Sequence, residues 1–196
     1  MKRRIEIIVC LAFVLTVFIS MTGFAQSCET LRGEVLRLHI LANSNSDGDQ
    51  ALKLLVRDRL LKEEIFTQSP NKEEALEKAR QSTEKLTRIA KDELVRNGCA
   101  DEVTVEIVNM YFTTREYETF TLPAGQYDAV RVLIGEGKGN NWWCVMFPPL
   151  CLPAATDKSA IDDAFTDKET AIMTQKPKYK AKFKVVELFE KAKAKK

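Results

Sequence analysis

An α+β domain, with a largely antiparallel sheet and two helices packed on one face, is the fold class that this sequence predicts. Helical periodicity is confined mainly to residues 49–97, strand-like alternation dominates residues 103–147, and one strand precedes the helices. Helices and strands are thus segregated along the chain, as in α+β domains. The 196 residues leave room for one domain of about 150 residues with a real core.

The amino terminus reads Met1-Lys2-Arg3-Arg4, then an apolar run from Ile7 to Ile19, then Thr22-Gly23-Phe24-Ala25. A basic start, an apolar stretch and small residues are the three parts of a secretory signal peptide, here residues 1–25. The apolar run falls short of the roughly 20 residues a membrane span needs, so an uncleaved anchor is the second reading. Both readings export the remainder.

Val35 to Ala42 alternates as a strand, with Leu36, Leu38 and Ile40 on one face and Arg37 and His39 on the other, polar face. From Asp49 a helix is expected to about residue 66. Its apolar residues fall in two stripes, Leu52, Leu55 and Val56 against Leu54, Leu61 and Ile65, so cover on both sides is expected. Ser69-Pro70 reads as an N-cap and first turn for a second helix, about residues 70–97, with Glu73 and Glu74 near the positive end of its dipole. Ala75, Leu76, Ala79, Leu86, Ile89, Ala90 and Leu94 keep one face apolar, and Gly98 stands where a C′ glycine ends a helix.

Val103, Val105 and Ile107 then alternate with Thr104 and Glu106, a half-buried strand reaching toward Thr113, beside which residues 116–122 can return. Pro123-Ala124-Gly125 signals a turn, residues 129–134 the next strand, and Gly135-x-Gly137-x-Gly139 a hairpin loop into a last strand from Trp142 to Phe147. Residues 26–152 form the expected domain. Residues 153–196 read as a polar linker, with one weak helix near 159–173, and a basic tail whose apolar edge is Phe183, Val185, Val186 and Phe189.

The net charge of +2 hides an asymmetry. Residues 176–196 carry nine lysines and two glutamates, while residues 26–175 sum to −7. Such a tail offers peripheral contact with a membrane or with cell-wall polymer, and a solvated lysine-rich terminus is the plainer reading. No nucleic-acid partner is expected. Export leaves Cys28, Cys99, Cys144 and Cys151 where disulfides persist. A Cys144–Cys151 bridge would close a small loop stiffened by Pro148-Pro149, with two buried thiols as the alternative and Cys28–Cys99 a weaker pairing.

Asn43-x-Asn45-x-Asp47-Gly48 imitates a calcium loop, but the closing glutamate is replaced by Leu54, so it reads as a strand-to-helix turn capped by Asp47 or Asp49 and no metal site is assigned. The glycine loop matches neither a phosphate loop nor a dinucleotide turn, and no cofactor is expected. His39, the single histidine, with Cys144 as thiolate would give a secreted cysteine hydrolase, the alternative function. Adjacent tryptophans on a strand point to opposite faces, so one of Trp142 and Trp143 is a candidate for recognition, with two core-edge tryptophans as the alternative reading. With the polar loop before them, Glu136, Lys138, Asn140, Asn141, Trp142 and Trp143 are the candidate partner-binding residues, and no catalytic residue is assigned.

Several long stretches are also familiar in order: Leu38-His39-Ile40-Leu41-Ala42-Asn43-Ser44, residues 49–58, Pro123-Ala124-Gly125-Gln126-Tyr127, and residues 135–151, with an echo at 182–190. Over roughly residues 30–152 the chain resembles the stage II sporulation protein R family. The resemblance implies an exported signalling protein of endospore-forming bacteria, acting in the intermembrane space between forespore and mother cell. Its implied partner is a membrane-embedded aspartic protease of the mother cell, which it activates to process the precursor of sporulation sigma factor E. The implied role is ligand and activator, not enzyme.

Overall fold

A computed structural model describes residues 2–63, 69–117, 119–150, 161, 164–174 and 176–194. The elements in chain order are α1 (Lys2–Gly33), β1 (Leu36–Leu41), α2 (Asp47–Leu61), α3 (Lys72–Gln81), α4 (Thr83–Arg96), β2 (Val103–Phe112), β3 (Arg115–Glu116), β4 (Thr121–Leu122), β5 (Gly125–Ile134), β6 (Asn141–Phe147), α5 (Asp167–Thr174) and α6 (Lys176–Lys193). The class is α+β, and the main sheet has the order β2-β5-β1-β6. Two of its pairings are antiparallel, but β1 and β5 run parallel, so the sheet is mixed.

That parallel pair overturns the hairpin expected at the glycine loop. β1 is buried on both faces, Leu36, Leu38 and Ile40 on one and Arg37 and His39 on the other. A strand apolar or buried on both sides belongs in the centre of a sheet. It therefore separates β5 from β6, and residues 135–140 cross the end of β1 instead of turning directly back. Residues 116–122 likewise do not return along β2, whose full length is taken by β5. Instead Arg115–Glu116 and Thr121–Leu122 form a separate two-stranded sheet, β3 with β4, in which Arg115 faces Leu122.

On one face Leu38 sits between Val130 and Cys144 in register, and Ile40 between Val132 and Trp142. Val56 and Leu60 of α2, Ala75 and Ala79 of α3, and Leu86, Ala90 and Leu94 of α4 cover this face. Of the two stripes of α2, Val56 is buried and Leu52 and Leu61 pack on this core, while Leu55 is 39% exposed; Ile65 lies outside the described residues. The second expected helix is two, broken at Ser82, where the Thr83 hydroxyl bonds back to the carbonyls of Ala79 and Arg80. α4 ends in a Schellman motif. Gly98, at φ 76°, donates to Val95 and Cys99 donates to Leu94.

The N-caps differ from those expected. Ser46, not Asp47 or Asp49, accepts from the Asp49 amide at 3.1 Å, and Asn71, not Ser69, accepts from the Glu74 amide at 2.9 Å. Each capping oxygen reaches the amide three residues ahead, which only a residue directly outside the first turn can do.

The opposite face is covered by the end of α1, the β3–β4 hairpin and the carboxy-terminal segment. Leu31, Val35, Phe112, Phe120, Leu122, Tyr127, Val145 and Phe165 form this second core. A third cluster joins Phe24 and Cys28 of α1 to Ile172, Phe183 and Val186, so the basic segment docks through one edge. A buried ion pair, Arg32 to Glu190 at 3.4 Å, and a bond from Lys182 Nζ to Ser20 Oγ at 2.8 Å add to that contact. The apolar side chains from Ile5 to Ile19 of α1 are exposed, and among the described residues this is the one helix long and apolar enough to cross a membrane. The boundary expected at residue 25 falls inside α1, one residue past buried Phe24.

Candidate functional site

Because β1 and β5 are parallel, the loops that follow them leave the same end of the sheet and meet there. The Asn43 side-chain oxygen accepts from the Glu136 amide at 2.9 Å, and that of Asn45 from the Asn140 amide at 2.7 Å. Backbone bonds from Lys138 to Asn43 and from Gly139 to Ala42 zip the loops together. Gly135 and Gly137 take φ of 55° and 61°, and a Cβ on Gly139 would stand 2.2 Å from the Ser44 carbonyl oxygen. Glycine is required at both kinds of place, by conformation and by contact. Lys53 Nζ, from α2, closes the arrangement on the Asn140 carbonyl at 3.0 Å. Asp49 accepts from Ser44 Oγ at 2.5 Å and from Asn43 Nδ2 at 3.3 Å, and the Ser44 bond holds its carboxyl below the usual range.

This double loop presents Glu136, Lys138, Asn140 and Asn141 outward. Glu136 and Lys138 pair at 2.7 Å with both side chains largely in water, where such a pair contributes little stability. Trp142 borders the same end. It packs on the helix-covered core with the Arg57 guanidinium 4.3 Å above its ring, and its indole N–H has no hydrogen-bond partner among the described residues.

Trp143 points to the other face, as alternation requires, and leaves the double loop. Its ring lies flat on His39 with centroids 3.9 Å apart and 2° between planes, and Phe112 meets it edge-on at 4.7 Å. His39, expected on a polar face, is 3% exposed. Burial pushes its imidazole down to about 4; the side-chain hydrogen bond with Asn141 opposes that shift, and Arg131, Arg37 and Arg115 add to it. Arg37 is wholly buried. Its guanidinium lies 4.2 Å from the Phe112 centroid and 5.0 Å from that of Tyr127, and donates to the Tyr117 hydroxyl at 2.6 Å.

Of the candidate partner-binding residues, five thus gather at one end of the sheet and Trp143 lies across it. Both tryptophans are half-buried, so neither is a free anchor. The cysteine–histidine dyad is not assembled: Cys144 belongs to the helix-side core, His39 to the other face, and Cys144 is disulfide-bonded. Cys151, the other end of the expected bridge, lies outside the described residues. Cys28 and Cys99 are free thiols, so they do not pair. Among the described residues no group of three or more His, Cys, Asp and Glu side chains could hold a metal ion. Lys53 and Arg57 are parts of the site that sequence patterns did not single out, and Asn45 stands out in the sequence only as part of the calcium-loop imitation. The run of short polar side chains at Asn43, Ser44, Asn45 and Ser46 is a usable signal, because such residues bond to nearby backbone; nothing local marks Arg57.

Among known proteins, the family model described as stage II sporulation protein R matches residues 32–157, which span β1 through β6 and both loops of the site. A protein of Bacillus subtilis (strain 168) named stage II sporulation protein R is 33% identical over 183 residues, covering 87% of this chain and 80% of that protein. No solved structure matches.

Proposed function

Since the chain belongs to the stage II sporulation protein R family, we propose that it is an exported signalling protein of endospore formation which activates a membrane-embedded aspartic protease of the mother cell. The activated protease then processes the precursor of sporulation sigma factor E. The protein acts from the intermembrane space as a ligand, not an enzyme. Family membership carries this reading, and the apolar amino-terminal helix supports export. The receptor face is the double loop with Trp142 beside it. Its outward groups are polar and its backbone is bonded by the side chains of Asn43, Asn45, Gln50 and Lys53, so little conformational freedom is lost on binding.

The test is processing of the sigma-factor precursor in cells making the protease, with and without export of this protein. Processing should require export, survive His39→Ala wherever that variant folds, and fail for Trp142→Ala in a protein that still unfolds cooperatively. Well-exported wild-type protein with no processing would overturn the reading. A folded, fully signalling Trp142→Ala variant would remove the receptor face.

A further inference from the structure

A groove of about 780 Å³ lies between the β3–β4 hairpin and α6, within the size range of ligand sites. It is away from the double loop. β3 follows the end of β2 that pairs with the start of β5, and the double loop follows the end of β5. Phe183 of α6 contributes apolar lining and is itself buried against Phe24.

The polar lining has unmet needs. Thr121 is 2% exposed, lines the groove, and its hydroxyl has no hydrogen-bond partner among the described residues; the same holds for the buried hydroxyl of Thr114, which lines the groove as well. Buried hydroxyls are normally satisfied, so two orphans in one groove point to an absent polar partner. Three cations line the same space: Arg115, Lys180 and Lys184. Arg115 rests over the Trp143 ring at 5.0 Å and, among the described residues, neither it nor Lys180 makes an ion pair. Of the two carboxylates present, Glu187 is taken by Lys184 at 3.3 Å, and Glu116 is exposed at the rim.

Spacing narrows the ligand. Lys180 and Lys184 are one helical turn apart, about 6 Å between Cβ atoms. Side chains two apart on an extended chain share one side at about 6.6 Å. We propose that this groove binds an extended acidic peptide segment, whose alternate carboxylates meet Lys180 and Lys184 while Arg115 takes a further one. The Thr114 and Thr121 hydroxyls bond its backbone, since a hydroxyl both donates to a carbonyl and accepts from an amide. A recessed channel between a hairpin and a helix suits a strand and not a flat bilayer surface. The site goes beyond the signalling role proposed above, and its test uses neither the protease nor the sigma factor.

The test is fluorescence anisotropy of a labelled, capped Glu-Ser-Glu-Ser-Glu peptide titrated with the full chain in non-ionic detergent. A Gln-Ser-Gln-Ser-Gln peptide, inorganic phosphate and phosphatidylglycerol vesicles run alongside. The acidic peptide should bind at least about tenfold more tightly than its glutamine counterpart, and the Lys180→Gln/Lys184→Gln double variant should weaken it about tenfold. Both lysines are exposed, so that variant keeps its fold, which circular dichroism checks. Thr121→Val, equal in shape, should weaken binding about threefold without lowering the melting temperature. Equal binding of the two peptides, binding indifferent to these substitutions, or binding to phosphate or vesicles without the peptide would each overturn the proposal.

Discussion

Under α2, α3 and α4 the inward side chains of β1 are Leu36, Leu38 and Ile40, all fully buried among other aliphatic groups; one residue over, on the opposite face, the same strand buries Arg37 and His39. Both faces exclude water, yet they do so by different chemistry. The aliphatic face needs only complementary volume, which many arrangements of Leu, Ile and Val supply. The other face depends on particular neighbours: the rings of Phe112 and Tyr127 for the Arg37 guanidinium, the Tyr117 hydroxyl for one of its N–H groups, and the Trp143 face for neutral His39. The first face should therefore respond to lost volume and the second to changed charge.

The largest effect expected is Leu38→Ala, which leaves a cavity in the helix-side core and should lower unfolding free energy by about 2–5 kcal/mol in denaturant titration. A loss under about 1 kcal/mol would mean that this face does not respond to lost volume as the contrast requires. The second concerns pH. His39 sits near 4 in the fold against about 6.5 unfolded, so between those values the unfolded chain binds the extra proton. The contribution of neutral His39 is complete above pH 6.5 and is lost as pH falls toward 4, about 3 kcal/mol across that window. His39→Phe should flatten this part of the pH profile, and an unchanged slope would assign it to other groups.

Arg37→Met is the sharper probe of the contrast, because it removes a buried, incompletely bonded charge while keeping most of the volume. It should leave stability unchanged or raise it by about 1–2 kcal/mol, whereas a clear loss would show that the aromatic cage and Tyr117 more than offset desolvation. The smallest effect belongs where the faces end. Asn45→Ala removes one bond between the two loops and should cost about 1 kcal/mol, seen as faster amide exchange at Asn140 while the sheet stays protected.

Much of the fold is legible in the order of residues alone. Alternation at Val103, Val105 and Ile107, the apolar stripe through Ala79, Leu86, Ala90 and Leu94, and Gly98 as a C′ residue all stand where their local chemistry puts them. Of the candidate site, the separation of Trp142 from Trp143 is legible because strand alternation is local, and the gathering of the loops is not. Asn43 and Asn45 stand 93 and 95 residues from the amides they bind, and no local pattern carries such a pairing. His39 and Arg37 mislead for the same reason. Polar type predicts exposure only on average, and what buries them is Phe112, Tyr127 and Trp143 arriving from other strands.

By itself the sequence determined the helical character of residues 47–61 and 72–96, the strands of the main sheet, the amino-terminal apolar segment and family membership, since propensity, periodicity and motif are properties of neighbouring residues. Only the tertiary structure decided that β1 lies between β5 and β6, that the two polar loops lock together, and that the basic segment docks on α1 beside a cationic groove. Those outcomes depend on which surfaces compete for burial once the chain is compact, and that competition is settled between residues far apart in the sequence.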